Sequence, residues 1–268
     1  FFFVIGLEIK RELLWGELSD PRKVILPIAA ALGGVTAPVA IYLALEHGTP
    51  AEDGWAVPMA TDIAFVVGSM ALLGARVPHG LKILILSLAI VDDILAVVVI
   101  AVFYTGSIHL MWLGAAAFGF GLTVLLNRLG VRTVPVYVLV GAGIWLATLK
   151  SGVHPTISGV LLGLLTPASA WIGKTSLVEI LDAMGRRLRH ETAGAAMEET
   201  RTALGDLAVA SREAVSPLER LELALHPWVG FVIMPVFALA NAGIAVSLSS
   251  LFDPTGLAVA ASLAVGKP

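Results

Sequence analysis

Apolar residues fall along this chain in unbroken blocks of helical length. The blocks cover about 25–46, 55–75, 81–104, 108–127, 134–149, 155–168, 227–248 and 256 onward. Blocks this long and this apolar predict helices that satisfy their own backbone hydrogen bonds, as lipid requires. Phe1–Leu7 is too short to cross a bilayer, which takes roughly 20 apolar residues, and reads as the tail of a further helix. The stretches 134–149 and 155–168 each fall short of a full span. The Ser151-Gly152-Val153-His154-Pro155 turn between them either links two short crossings or breaks one irregular element. The stretch 174–220 is the one soluble-looking piece, with mixed charge such as Arg186-Arg187-Leu188-Arg189 and Glu198-Glu199-Thr200-Arg201. It reads as a solvated helical insert, spanning about 171–225, in a single transmembrane domain.

Composition agrees with the pattern. Charged residues make up 14% of the chain and apolar ones 57%, against about 25% and 45–50% in soluble domains. The net charge of −3 gives no reason to expect nucleic acid, and without Cys no disulfide framework arises. Lys and Arg orient the bundle: four lie in 8–24, then Arg76, Lys82, Arg128 and Arg132, and seven in 169–226. The alternate loops 47–53, 105–107, 150–154 and 249–255 hold only Lys150. This is the positive-inside pattern, and it predicts that 8–24, 76–82, 128–133 and 169–226 are cytoplasmic. Trp55, Trp112 and Trp228 sit near span ends, where interfacial aromatics gather.

Acidic residues inside apolar blocks carry the chemistry. Asp92 and Asp93 lie near the middle of 81–104, flanked by Leu88-Ala89-Ile90-Val91 and Ile94-Leu95-Ala96-Val97-Val98. A charged Asp at a helix centre costs about 2.5–3.5 kcal/mol even on a lenient insertion scale, and such residues default to function. Adjacent carboxylates repel, so their protons leave in two coupled steps. A site of this kind either holds a proton or yields it to a cation. Neighbours on a helix point about 100° apart, so the two carboxylates face different surroundings. Lys267 is a candidate partner about eleven residues into the last apolar segment; the alternative is a lysine that snorkels to the interface. Asp62 is a third intramembrane acid, in Pro58-Met59-Ala60-Thr61-Asp62, where Pro58 disfavours a continuous helix.

These blocks together resemble the NhaA family of sodium/proton antiporters. The matching segments are Leu7-Glu8-Ile9-Lys10-Arg11-Glu12, Ala60-Thr61-Asp62-Ile63-Ala64-Phe65, Leu88-Ala89-Ile90-Val91-Asp92-Asp93 and Leu149-Lys150-Ser151-Gly152-Val153-His154. They continue through Leu225-His226-Pro227-Trp228, Phe237-Ala238-Leu239-Ala240-Asn241-Ala242-Gly243 and Gly266-Lys267-Pro268. The resemblance implies an all-α polytopic membrane bundle with a discontinuous helix and an inverted-repeat architecture, for which this family is itself a type case. It implies exchange of sodium or lithium for protons, with sodium bound at Asp92 and Asp93 and Lys267 paired to an acid of that site. Thr61 and Asp62 match the unwound stretch where broken helices cross. Glu8, Arg11, Glu12, Glu222 and His226 match a cytoplasmic cluster tied to alkaline activation, a property of the whole cluster since an unperturbed His titrates near 6.5.

The location implied is a bacterial inner membrane. The implied partners are sodium or lithium ions, protons, the lipid bilayer and, as one option, a second copy of the chain. No cofactor is called for. The family's second broken helix lies beyond Pro268, so the chain is read as a fragment lacking both ends and is expected not to transport by itself.

Other classes fit less well. An intramembrane aspartyl protease needs Tyr-Asp and Gly-x-Gly-Asp, whereas Ala60-Thr61 and Ile90-Val91 precede these acids. Gly173-Lys174-Thr175 resembles the end of a phosphate loop, but the required first glycine is Ala168. The six His residues lack metal-ligand spacing, and no nucleophile–base arrangement marks an enzyme. A cation channel or solute symporter using the same acids remains the serious alternative.

Overall fold

A computed structural model describes residues 1–59, 68–70, 72–131, 133–170, 178–183, 205, 213–241 and 253–267. Thr61 and Asp62, and most of the charged insert 174–220, lie outside the described residues. Among the described residues there is no strand. Helix α1 covers Phe2–Trp15, α2 Pro21–Glu46, α3 His79–Phe103, α4 Leu110–Arg128, α5 Val134–Lys150 and α6 Thr156–Leu165. Helix α7, Pro217–Trp228, runs through a π-helical turn, Val229–Ile233, into α8, Met234–Asn241. Helix α9 covers Pro254–Gly266.

Four helical runs among the described residues are long and apolar enough to cross a membrane: Arg22–Glu46, Gly80–Phe103, Leu110–Arg128 and Pro217–Ala240. Their outward faces carry large apolar side chains, among them Leu110, Met111 and Phe118 on α4 and Phe231 in the π-helical turn. A surface of that kind belongs in hydrocarbon. The protein is a multi-pass helical membrane protein.

One expectation from the hydrophobic pattern changes. The block expected from 227 starts ten residues earlier, at Pro217. Ser216 caps the helix: its hydroxyl accepts from the Glu219 amide at 3.2 Å while the Glu219 carboxylate accepts from the Ser216 amide at 3.2 Å. With Pro217 at the first helical position, this capping box starts a helix whose first turns are polar. Around the block at 55–75, where Pro58 disfavours a continuous helix, 3₁₀ turns occupy Glu52–Gly54, Val57–Met59 and Gly74–Arg76. Pro58 within the second of these supplies no amide to continue a helix.

The turn at 151–155 separates two distinct helices, α5 and α6. It is tied to the connection before α4, where the Gly106 amide donates to the Gly152 carbonyl at 3.0 Å and the His109 amide to the Ser151 carbonyl at 2.9 Å. On this side of the bundle Trp55 packs edge-on against Phe103, centroids 5.1 Å apart, and the Lys150 ammonium lies 6.0 Å from the Trp112 ring.

Two bodies frame α3. On one side α1 packs along α6, and Ile5, Ile9 and Val160 form a buried cluster against which Ile94 and Val97 of α3 pack. On the other side α2 packs against both α3 and α9, with Ala31, Val91 and Leu18 buried together and Leu88 and Leu95 against them.

Candidate cation and proton site

The helix α3 runs unbroken through Asp92 and Asp93. Its 100° step puts Asp93 on the side of Ile94 and Val97, and Asp92 on the side of Leu88, Val91 and Leu95. The two carboxylates therefore look toward the two different bodies, as their spacing predicts.

Asp92 is 5% exposed. The Lys267 ammonium donates to its Oδ2 at 3.1 Å and to the Met59 carbonyl at 2.7 Å. Lys267 comes to this place because α9 meets α2 without a side chain between them. A Cβ on Gly266 would lie 2.6 Å from the Pro38 backbone nitrogen, so only glycine allows the approach. Lys267 thus turns toward Asp92. A pocket of about 220 Å³ opens beside the pair, with Ala31, Gly34 and Leu88 among its walls and Asp92 and Lys267 in its lining.

Asp93 is half-buried, and Glu8 of α1 is within electrostatic range of it. Glu8 is also within range of Glu222, Arg11, His226 and Glu12. Burial raises the Glu8 pKa from its ordinary 4.5, and the Glu222 carboxylate adds to this, while Arg11 and His226 oppose it. Arg11 donates to the Glu222 carboxylate and lies 3.5 Å from Glu12. Glu222 is buried, and His226 sits one turn further along α7 and is exposed. The structure therefore gathers Glu8, Arg11, Glu12, Glu222 and His226 from α1 and α7, with Glu8 within electrostatic range of both Glu222 and Asp93.

Three features of the site escape a reading of the sequence. The Met59 carbonyl as a partner of Lys267 is a backbone atom with no residue signature; its only hint was Pro58. The proximity of Glu8 to Asp93 is a product of packing. Lys10, beside the cluster, turns away from it and donates to the Leu164 and Thr166 carbonyls at 2.7 and 2.6 Å. Among the described residues, no three His, Asp or Glu side chains converge as metal ligands do. A cation at Asp92 or Asp93 would complete its shell from carbonyls, hydroxyls or water.

The family described as Na+/H+ antiporter 1 matches residues 1–268. A Na(+)/H(+) antiporter NhaA of Rhodopirellula baltica is 49% identical over 268 residues, all of this chain and 61% of the relative. One from Rhizobium meliloti is 49% identical over 270 residues, again all of this chain and 61% of the relative. A Na(+)/H(+) antiporter NhaA 2 of Sorangium cellulosum is 53% identical over 245 residues, 91% of this chain and 52% of that protein. The chain thus spans about 60% of the length of the curated relatives it matches at full coverage. With the fold and the paired aspartates described, this match across its whole length settles its membership: the chain belongs to the Na+/H+ antiporter 1 family.

Proposed function

We propose that the protein exchanges sodium or lithium for protons across a bacterial inner membrane, and that Asp92 and Asp93 are where ion and proton compete. The observation that carries this reading is the divided environment of the pair. Asp92 is held by an intramembrane ammonium, while Asp93 faces the body that carries Glu8 and the cytoplasmic cluster. A carboxylate oxygen takes either a proton or a small hard cation, and occupancy by one displaces the other. The Asp92–Lys267 pair keeps the neighbouring charge balanced, so that loading Asp93 does not leave two carboxylates facing each other across low dielectric. Thr61 and Asp62 complete the reading as further cation ligands, on their match to the family's Ala-Thr-Asp motif.

Alkaline activation fits the cluster. Glu8 connects Asp93 to Glu222, Arg11, Glu12 and His226, so the charge state of those groups bears on the site electrostatically. Orientation follows from the Lys and Arg asymmetry, with 8–24, 76–82, 128–133 and 169–226 in the cytoplasm. The insert at about 171–225 is then a cytoplasmic attachment to a single transporter domain. A second copy of the chain as partner is compatible with this arrangement.

The test uses inside-out vesicles containing the protein made from its complete reading frame. Sodium added to vesicles with an acid interior should alkalinise them, and Asp93→Asn should abolish the response. Conductance without obligatory proton movement would mark a channel, and full activity in Asp93→Asn would remove the site from the mechanism. The same traces taken across pH with Glu222→Gln test the cluster: a displaced pH profile with near-normal maximal exchange is expected, and an undisplaced one counts against it.

A further inference from the structure

The C-terminal end of α6 is a meeting point. Four successive backbone carbonyls there receive donors from three different helices. Lys10 of α1 donates to Leu164 at 2.7 Å and to Thr166 at 2.6 Å. The Asn127 side chain of α4 donates to Leu165 at 3.2 Å. The Leu218 amide of α7 donates to Pro167 at 3.1 Å. The last carbonyls of any helix lack partners within it. One left unsatisfied away from water is costly, and a cation at the negative end of the helix dipole is favourable. Lys10 supplies both the donors and the charge.

The same short segment of α1 is fixed from two other directions. One turn away Gly6 lies against α6 so closely that a Cβ would fall 2.4 Å from the Val160 carbonyl, and a Cβ on Gly163 would fall 2.6 Å from the Phe3 carbonyl. Beside Lys10, Arg11 pairs with Glu222 of α7. The Leu218 side chain, at the amide that meets Pro167, is fully buried. Helices α1, α6 and the start of α7 are thus tied at one end, and the core that α1 and α6 share, Ile5, Ile9 and Val160, backs directly on Ile94 and Val97, next to Asp93.

We propose that Lys10 is a positioning residue whose ammonium ties the C-terminus of α6 to α1 and α7, so that the placement of the cytoplasmic cluster is passed to the Asp93 face of α3. The link to ion binding rests on the exchange reading above; the tie itself does not. Lys10 touches neither the ion nor a carboxylate of the site. Its effect is therefore expected in apparent affinity rather than in the amount of protein or the maximal rate. Residues that orient a first ligand typically change ion affinity by about 10- to 100-fold when lost.

The experiment compares wild type, Lys10→Met and Lys10→Arg, made from the complete reading frame. Deuterium uptake of purified protein reports on the tie without any transport. Lys10→Met should raise uptake at 162–168 and at the Leu218 amide, and Lys10→Arg, whose guanidinium also donates to two carbonyls, should restore protection. In vesicles Lys10→Met should raise the apparent KM for sodium about tenfold at unchanged maximal rate per folded protein, with partial recovery in Lys10→Arg. Unchanged uptake in Lys10→Met overturns the tie, whatever the transport result. Raised uptake with an unchanged KM overturns the passage of position to Asp93. Wild-type vesicles that fail to exchange refute the antiport reading and leave the tie to be judged by uptake alone. Should Lys10→Met not accumulate, Lys10→Gln, which keeps one donor, is read by the same criteria.

Discussion

Replacing Lys267 by Met should destabilise the protein more than its place at a helix end suggests. The substitution keeps most of the side-chain volume and removes the charge, so the cavity contribution is small and the electrostatic one dominates. Asp92 is 5% exposed, and the Lys267 side chain keeps 22% of its surface. Breaking a buried pair by removing one partner costs about 3–5 kcal/mol; the residual exposure of the lysine places this pair at the lower end, about 3 kcal/mol. The Met59 carbonyl also loses its donor, within the same range. For a chain of this size, about 3 kcal/mol corresponds to a fall of roughly 6–12 °C in melting temperature. A cycle of Lys267→Met, Asp92→Asn and the double variant isolates the pair. The double variant should regain part of the loss, giving a coupling of about 2–3 kcal/mol. Melting of purified protein in detergent, followed by size-exclusion fluorescence, provides the readout. Strictly additive single changes, or a Lys267→Met protein as stable as wild type, would show that the contact contributes nothing and would remove the charge-balancing role given to Lys267.

Glu8→Gln should stabilise the protein in a pH-dependent way. The folded pKa of Glu8 lies above its ordinary 4.5. The fold therefore favours the neutral acid, and that contribution is complete below 4.5 and lost as pH rises through the raised value. Glutamine mimics the neutral form at every pH, so the melting-temperature gain over wild type should be near zero at pH 4 and positive at pH 8; an equal gain at both would refute the assignment. Gly163→Ala puts a methyl group 2.6 Å from the Phe3 carbonyl, and the obstruction is backbone, so α1 must shift away from α6. Overpacking of this kind costs about 1–3 kcal/mol, to be read as a lower melting temperature; a neutral result would mean the two helices are not locked together.

How far the sequence foretold the molecule depends on whether side chains or backbone carry the contact. The limits of α3 and the opposed placement of Asp92 and Asp93 follow from a long apolar block and a 100° step. The turn at Ser151–Pro155 had two readings, and hydrogen bonds from Gly106 and His109 to the Gly152 and Ser151 carbonyls, which leave no mark in the residue pattern, accompany the two-helix one. Hydropathy alone placed the start of α7 ten residues late, because its first turns are polar. The cue lay in Ser216-Pro217-Leu218-Glu219, a capping signal readable without any apolar run. Lys10 shows the opposite limit. On sequence it is one more cytoplasmic cation, and only the arrival of α6 beneath it makes it a helix cap. Glu8 is similar: its nearness to both Asp93 and Glu222 exists only once α1, α3 and α7 are packed.

The central claim is that one site holds either a proton or a sodium ion. Calorimetric titration of the purified protein with sodium at fixed pH, repeated in two buffers of different ionisation heat, measures the protons released per ion bound. Wild type should release protons in step with sodium binding, and Asp93→Asn should neither bind with that signature nor release them. Sodium binding with no proton release, or release that persists in Asp93→Asn, would contradict competition at Asp92 and Asp93.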